Sequence, residues 1–142
     1  MERGQQGIWA ADGRDICFVL EYDTGSEHLP QLADKLVGYA EHAQRHVTFK
    51  APILFCFPAT PRREQSARRA LAATAASRDL QIATASLDPR VICPACGPAW
   101  MPLHEGHRSM LLIDLDDVLP EPWRTAREQE QRERRELAAL TK

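Results

Sequence analysis

The sequence predicts a single α/β domain whose sheet combines antiparallel and parallel strands. Two apolar segments flank Asp12-Gly13, which indicates a β-hairpin because an Asp-Gly pair readily adopts the positive φ angles of tight hairpin turns. A helix-period segment, an apolar strand, a second helix and another strand follow, and this alternation is typical of a mixed α/β sheet. The chain has 142 residues, enough for one domain with its own core, which we place at residues 1–120, before a charged helical tail at 121–142.

The first half of the predicted domain is a hairpin followed by a helix. Residues 8–10 and 16–20 are the two strands on either side of the turn. Residues 29–45 then repeat apolar side chains at three- and four-residue spacing, and Pro30 stands in the first turn, where its missing N–H costs nothing. This pattern predicts an amphipathic helix.

The second half supplies two more strands and a second helix. Residues 52–57 form a continuous apolar run between prolines, which predicts a central strand covered on both faces. Residues 62–77 are alanine-rich and favour a helix, and residues 80–85 predict a further strand. Residues 110–113 fit either a late edge strand or a short buried segment. From residue 121 the chain is charged and favours a helix.

Composition limits the classes of protein to be considered. The net charge is −2, and the chain has neither an apolar run of about 18 residues nor a secretion signal pattern, so we expect a cytoplasmic protein without a membrane partner. Two of the four cysteines, Cys17 and Cys56, lie in apolar strand-like runs. We therefore predict that the four cysteines do not make a disulfide framework and that these two are buried thiols.

A candidate acidic site lies where the second strand ends. The apolar run at residues 18–20 leads into Glu21 and Asp23, and a Thr-Gly-Ser turn follows. The two-residue period of a strand places both carboxylates on one face, where they could hold a divalent metal such as Mg²⁺ together with phosphate oxygens. The alternative is that these residues are only the polar end of a strand.

A second candidate metal site lies in the later part of the chain. Cys93 and Cys96 precede Gly97, and this spacing is typical of half of a zinc knuckle. His104 and His107 could complete a zinc site with two cysteines and two histidines, although the linker between the pairs is short. The alternative is a turn with two free thiols.

The second predicted helix carries a cluster of arginines. Part of the cluster can share one helix face, and such a stripe suits contacts with phosphate. Glu64 and Asp79 offset the charge, so a solvated charged face is the alternative. The candidate nucleic-acid-binding residues are Arg62, Arg63, Arg68 and Arg69.

The segment Leu-Glu-Tyr-Asp-Thr-Gly-Ser-Glu at residues 20–27 resembles the replication-relaxation family of plasmids and integrative elements. The resemblance continues through Leu32, Lys35, Leu36 and Tyr39 into the Pro-Ile-Leu-Phe strand and covers roughly residues 7–87. It implies a restriction-endonuclease-like core of the PD-(D/E)xK type and a role in plasmid replication and relaxation.

The resemblance also implies roles for single residues. Glu21 and Asp23 would be metal-binding catalytic carboxylates, Glu27 a third or outer acidic group, and Lys35 a catalytic lysine that has moved to the helix. A lysine there could stabilise phosphate charge during attack. The alternative for Lys35 is an exposed helix residue. We also expect Lys35 to face Glu21.

The chain departs from the family at its amino terminus. The family has an Arg-Pro-Asp-like segment before the hairpin, and here residues 2–6 read Glu-Arg-Gly-Gln-Gln. The leading acidic residue and the winged-helix DNA-binding region are lacking, which implies a truncated or degenerate member. We therefore expect a DNA-associated protein that acts with replication or transfer proteins and cleaves weakly or not at all. The alternatives are an active Mg²⁺-dependent endonuclease and a small zinc-stabilised interaction module.

Overall fold

The computed structural model describes residues 4–23, 25, 28–45, 51–58, 61–90, 93, 95–104, 108–118 and 121–141. These residues form one mixed α/β domain, as the sequence predicts, with five strands in a single sheet. The strands are β1 (Gln5–Ala11), β2 (Arg14–Tyr22), β3 (Ile53–Cys56), β4 (Ile82–Ala85) and β5 (Met101–Pro102). The helices are α1 (Leu29–Arg45), α2 (Pro61–Ala73) and α3 (Glu121–Leu140).

The hairpin of β1 and β2 is confirmed. Asp12 and Gly13 occupy the turn with φ angles of 54° and 72°, and Ala11 pairs with Arg14 across it. Aspartate and glycine are among the residues that adopt positive φ most readily, so the turn residues determine the register of the whole hairpin. That register runs from Ala11 opposite Arg14 to Gln5 opposite Leu20.

Strand order in the sheet follows chain order, β1-β2-β3-β4-β5. The pairs β2–β3 and β3–β4 are parallel, and helices α1 and α2 make the two crossover connections. Both helices contribute to one buried cluster against the sheet, through Leu32, Leu36, Ala67 and Leu71. The predicted helix at 29–45 and the central strand are confirmed. The second helix, predicted at 62–77, ends earlier, at Ala73, and a separate 3-10 turn, Ala75–Asp79, follows it.

The other face of the sheet is covered by an irregular segment instead of a long helix. Trp100 is fully buried there, and a 3-10 turn, Leu112–Asp117, packs with it against Leu54 and Ala83. Of the two alternatives for residues 110–113, the structure shows the buried segment, because Met110 only bridges to Trp100. The edge of the sheet is formed by the two-residue strand β5.

Helix α3 ends the described chain. Its described side chains, at residues 124, 125 and 128–140, are exposed. Among the described residues, no helix combines the length and apolar character needed to cross a membrane.

Candidate functional site

The two acidic residues of the predicted site lie at the carboxyl end of β2, on the sheet face that α1 and α2 cover. Glu21 is 7% exposed and Asp23 is 5% exposed. They follow the buried Val19 at two-residue intervals, so all three side chains point toward the helices. Two carboxylates at this depth require partners, because burying an uncompensated charge is costly.

Helix α1 supplies the partners of Glu21. One carboxylate oxygen, Oε1, accepts a hydrogen bond from the Tyr39 hydroxyl, and the other, Oε2, lies 3.3 Å from Lys35 Nζ. Lys35 and Tyr39 are four residues apart and share one helix face. The Tyr39 hydroxyl in turn accepts a hydrogen bond of 3.0 Å from the backbone N–H of Gly4. The prediction that Lys35 faces Glu21 is confirmed; its catalytic role stays a prediction.

Helix α2 supplies the partner of Asp23. The guanidinium of Arg63 donates from Nε to Oδ2 at 3.0 Å and from Nη2 to Oδ1 at 3.2 Å. The side chain of Arg63 is 21% exposed and that of Asp23 is 2% exposed. Such a bidentate salt bridge combines charge pairing with a fixed geometry. It ties the end of β2 to the first turn of α2.

A third polar contact lies in the same row of the sheet. Glu21 pairs with Phe55 of β3, and Phe55 pairs with Thr84 of β4, so Thr84 also faces the helices. The fully buried Thr84 hydroxyl donates to Glu64 Oε2 at 2.7 Å and accepts from Arg68 Nη1 at 2.8 Å. Sequence reasoning missed this contact because Thr84 stands inside an apolar strand.

Arg68 connects α2 to β4 and to the edge strand β5. Besides Thr84, its guanidinium donates to the carbonyl oxygens of Met101 at 2.9 Å and of Pro102 at 2.8 Å. Burial lowers the pKa of Arg68, and the neighbouring Glu64 carboxylate partly offsets that effect. Through its hydrogen bonds to Met101 and Pro102, Arg68 acts as a clamp on β5, that is, it holds this short strand against α2.

The structure divides the four arginines that the sequence grouped together. Arg63 and Arg68 point inward to the contacts described above, whereas Arg62 and Arg69 are exposed. Arg62 and Arg69 are seven residues apart, so they lie on one face of α2, two turns from each other.

The fit of Mg²⁺ to the acidic pair can be judged from these contacts. Each of the four oxygens of Glu21 and Asp23 already accepts a hydrogen bond from Tyr39, Lys35 or Arg63. Each oxygen keeps a second lone pair, but a divalent cation bound there would lie beside the positive charges of Lys35 and Arg63, so the arrangement does not favour Mg²⁺ as it stands. Glu27, the predicted third acidic group, lies outside the described residues. Within the described part of the chain, no three His, Cys, Asp or Glu side chains are grouped to hold a metal.

No family model, curated protein or solved structure matches this chain. The assignment to the replication-relaxation family and to a restriction-endonuclease-like fold therefore rests on the sequence resemblance alone.

An open cleft of about 550 Å³ borders Glu21 on its β1 side. Glu21 contributes to its wall, and the guanidinium of Arg90 lies 5.4 Å from the centre of the Tyr22 ring. Asp88 accepts three hydrogen bonds from Arg90, two from the guanidinium and one from the backbone N–H, and these lower the pKa of the Asp88 carboxyl group. The lining residues are Gly4, Gln5, Leu20, Glu21, Tyr22, Pro89 and Arg90.

The described members of the predicted zinc site show a different arrangement, and the alternative of a turn with two free thiols is wrong. Cys93 and Cys96 are joined in a disulfide, and a disulfide sulfur cannot act as a thiolate ligand. His104 Nε2 lies 3.0 Å from the hydroxyl of the buried Ser77, which itself donates to the Thr74 carbonyl. His107 lies outside the described residues. Zinc binding stays a prediction that requires the reduced thiols.

The two remaining cysteines differ in exposure. Cys56 is buried, as predicted, but the prediction for Cys17 is wrong, because that side chain is exposed. Cys17 pairs with Ile8, which is 71% exposed, so both lie on a part of the sheet that the helices do not cover.

This difference predicts selective alkylation. Burial, with a smaller effect of the Asp88 carboxylate, raises the pKa of the Cys56 thiol to about 12. Near pH 8, iodoacetamide should therefore modify Cys17 rapidly and Cys56 only after unfolding, because the thiolate is the reactive form. Mass spectrometry of the parent and of Cys17→Ser checks this. Modification of Cys56 in the folded protein at the rate of Cys17 would contradict it.

Proposed function

We propose that this chain is a DNA-associated protein of the replication-relaxation kind, acting in plasmid or mobile-element replication. Its restriction-endonuclease-like core binds DNA and cleaves it weakly or not at all. The observation that carries the proposal is the division of charge on α2: Arg63 neutralises the buried Asp23, whereas Arg62 and Arg69 face outward. The sequence resemblance supplies the biological context.

Weak cleavage follows from how the carboxylates are used. Metal-dependent phosphodiester cleavage needs carboxylate oxygens that can coordinate the ion. Here Lys35 and Arg63 already supply the positive charge beside Glu21 and Asp23. The same contacts join β2 to α1 and α2, so the acidic pair holds the carboxyl end of β2 against the two helices.

DNA binding is supported by the outward face of α2. Arg62 and Arg69 are separated by about 10 Å along the helix axis, from the rise of 1.5 Å per residue. Arg78, in the 3-10 turn that follows, is exposed as well. Exposed arginines at such spacing can contact successive phosphates without recognising base sequence.

The proposal predicts salt-dependent DNA binding that Arg62 and Arg69 share. Each phosphate contact releases condensed counterions, so replacing both residues by alanine should reduce the slope of log affinity against log salt by about two units. Fluorescence anisotropy with a labelled duplex over a salt series measures the slope. Arg135→Ala, which removes an exposed arginine on α3, is the matched control and should leave the slope unchanged.

A cleavage assay tests whether the protein binds DNA without cutting it. Incubating parent and Glu21→Gln proteins with supercoiled and linear DNA, in Mg²⁺ and in chelator, should show little or no cutting by either. Robust Mg²⁺-dependent cutting that Glu21→Gln abolishes would establish an active endonuclease instead. Absent or salt-insensitive DNA binding by the parent would overturn the nucleic-acid proposal and favour a protein-interaction module.

A further inference from the structure

The outer edge of the sheet is an uncharged strand. β1 consists of Gln-Gln-Gly-Ile-Trp-Ala-Ala and, among the residues that the structure describes, pairs on one side only, with β2. Sheet edges are usually protected from other chains by lysine, proline, bulges or very short strands, and β1 has none of these in its seven residues. The opposite edge is protected, because β5 has only two residues and one is proline.

The hairpin register shows which backbone groups face outward. Residues that flank a two-residue turn exchange hydrogen bonds, and hydrogen-bonded positions then alternate along the strand. Counting back from Ala11, the alternate residues bond to β2, while Gln6, Ile8 and Ala10 direct their N–H and C=O groups away from it. Within the described chain, these outward groups have no hydrogen-bond partner.

These outward groups are complementary to their own copy. A two-fold axis through Ile8 pairs Gln6 with Ala10 and Ile8 with its symmetry mate, which satisfies six backbone groups on each strand. The same register places Trp9 opposite Gly7 at the closer, non-hydrogen-bonded spacing, where Gly7 has no side chain of its own and the Phe18 ring already lies over it. It also covers Ile8, which is 71% exposed in the single chain, with the same residue of the second copy.

We propose that β1 is a homodimer interface, in which two copies pair their β1 strands antiparallel to form one continuous ten-stranded sheet. A second copy is the favoured partner for two reasons. The strand carries no charge that would repel its copy, and in the two-fold register every outward N–H and C=O group from Gln6 to Ala10 finds a hydrogen-bond partner. The assembly is closed, since its two outer edges are then the short β5 strands. Interfaces of this kind bury limited area, so we expect a dimer that dissociates on dilution.

Sedimentation velocity over a concentration series tests the proposal. The parent should shift from the 16.0 kDa monomer to twice that mass as concentration rises. Ile8→Lys places two like charges opposite each other at the centre of the interface and should raise the dissociation constant at least tenfold, about 1.4 kcal/mol or more. Val37→Lys is the matched control, because Val37 is another exposed apolar residue, 46% exposed on α1, and it should leave dimerisation unchanged.

Amide hydrogen exchange separates loss of the dimer from loss of the hairpin. The amides of Gln6, Ile8 and Ala10 should be slow in the parent dimer and fast in Ile8→Lys, while those of Gly7 and Trp9, bonded to β2, should stay protected in both. A parent that is monomeric throughout would overturn the proposal and leave the edge to a strand of another protein. A dimer that Ile8→Lys leaves intact, or that Val37→Lys disrupts, would place the interface elsewhere.

Discussion

Replacing Arg63 by alanine should lower the free energy of unfolding by about 3 kcal/mol, because it leaves the buried Asp23 carboxylate without its counter-charge. Asp23 is 5% exposed and receives both of its side-chain hydrogen bonds in the described structure from Arg63. No other change on α2 removes a charge partner from so buried a carboxylate. Chemical denaturation followed by circular dichroism measures the effect.

The neighbouring arginine provides the control for this prediction. Arg62→Ala removes the same side chain from an exposed position and should change the free energy of unfolding by no more than about 0.5 kcal/mol. Combining Arg63→Ala with Asp23→Asn should restore part of the loss, because the variant then buries no unpaired charge. Equal effects of Arg62→Ala and Arg63→Ala would show that the pair with Asp23 contributes little.

Replacing Arg68 by methionine should cost a similar amount, about 3 kcal/mol, for a different reason. The aliphatic stem is kept, but the carbonyls of Met101 and Pro102 and the Thr84 hydroxyl lose a charged donor. The loss should be concentrated at β5, whose two residues provide few other contacts with the body of the domain. Arg68→Lys should recover only part of it, since one ammonium group cannot reproduce the planar guanidinium contacts.

Arg69→Ala is the matched control for Arg68, because Arg69 is its exposed neighbour on the same helix. Arg69→Ala should change the free energy of unfolding little. It should lower DNA affinity more than Arg68→Met does. Hydrogen exchange at Leu103, whose amide bonds to the Ile82 carbonyl, should rise in Arg68→Met before that of β3. Unchanged exchange there would contradict a clamp on β5.

The sequence predicted the parts of the fold that local chemistry determines. The Asp12-Gly13 turn set the hairpin, and the helical period gave α1 with its observed bounds. The strand β5 escaped prediction because two residues carry no pattern, and because Arg68 and pairing with β4 hold them in place. Cys17 was assigned to the core because strand alternation does not tell how far the covering helices extend.

The candidate site was predicted in position but only partly in its contacts. Glu21, Asp23 and Lys35 lie together as expected, since strand and helix periods determine their directions. The inward position of Arg63 was available from the sequence, because Arg63, Ala67 and Leu71 recur every four residues and the last two are fully buried. The partnership of Arg68 with β5 was not, since it joins residues that are more than thirty positions apart.

The agreement between strand order and chain order affects how the protein can be made. Each strand is added beside the one synthesised just before it, so no later segment has to insert between strands already formed. The hairpin can close as soon as it leaves the ribosome, and each parallel strand can be added once its crossover helix has emerged. During translation the growing edge is always the newest strand, whereas β1 stays available at the other edge from the beginning. Nascent chains on neighbouring ribosomes could therefore associate through β1 before either domain is complete.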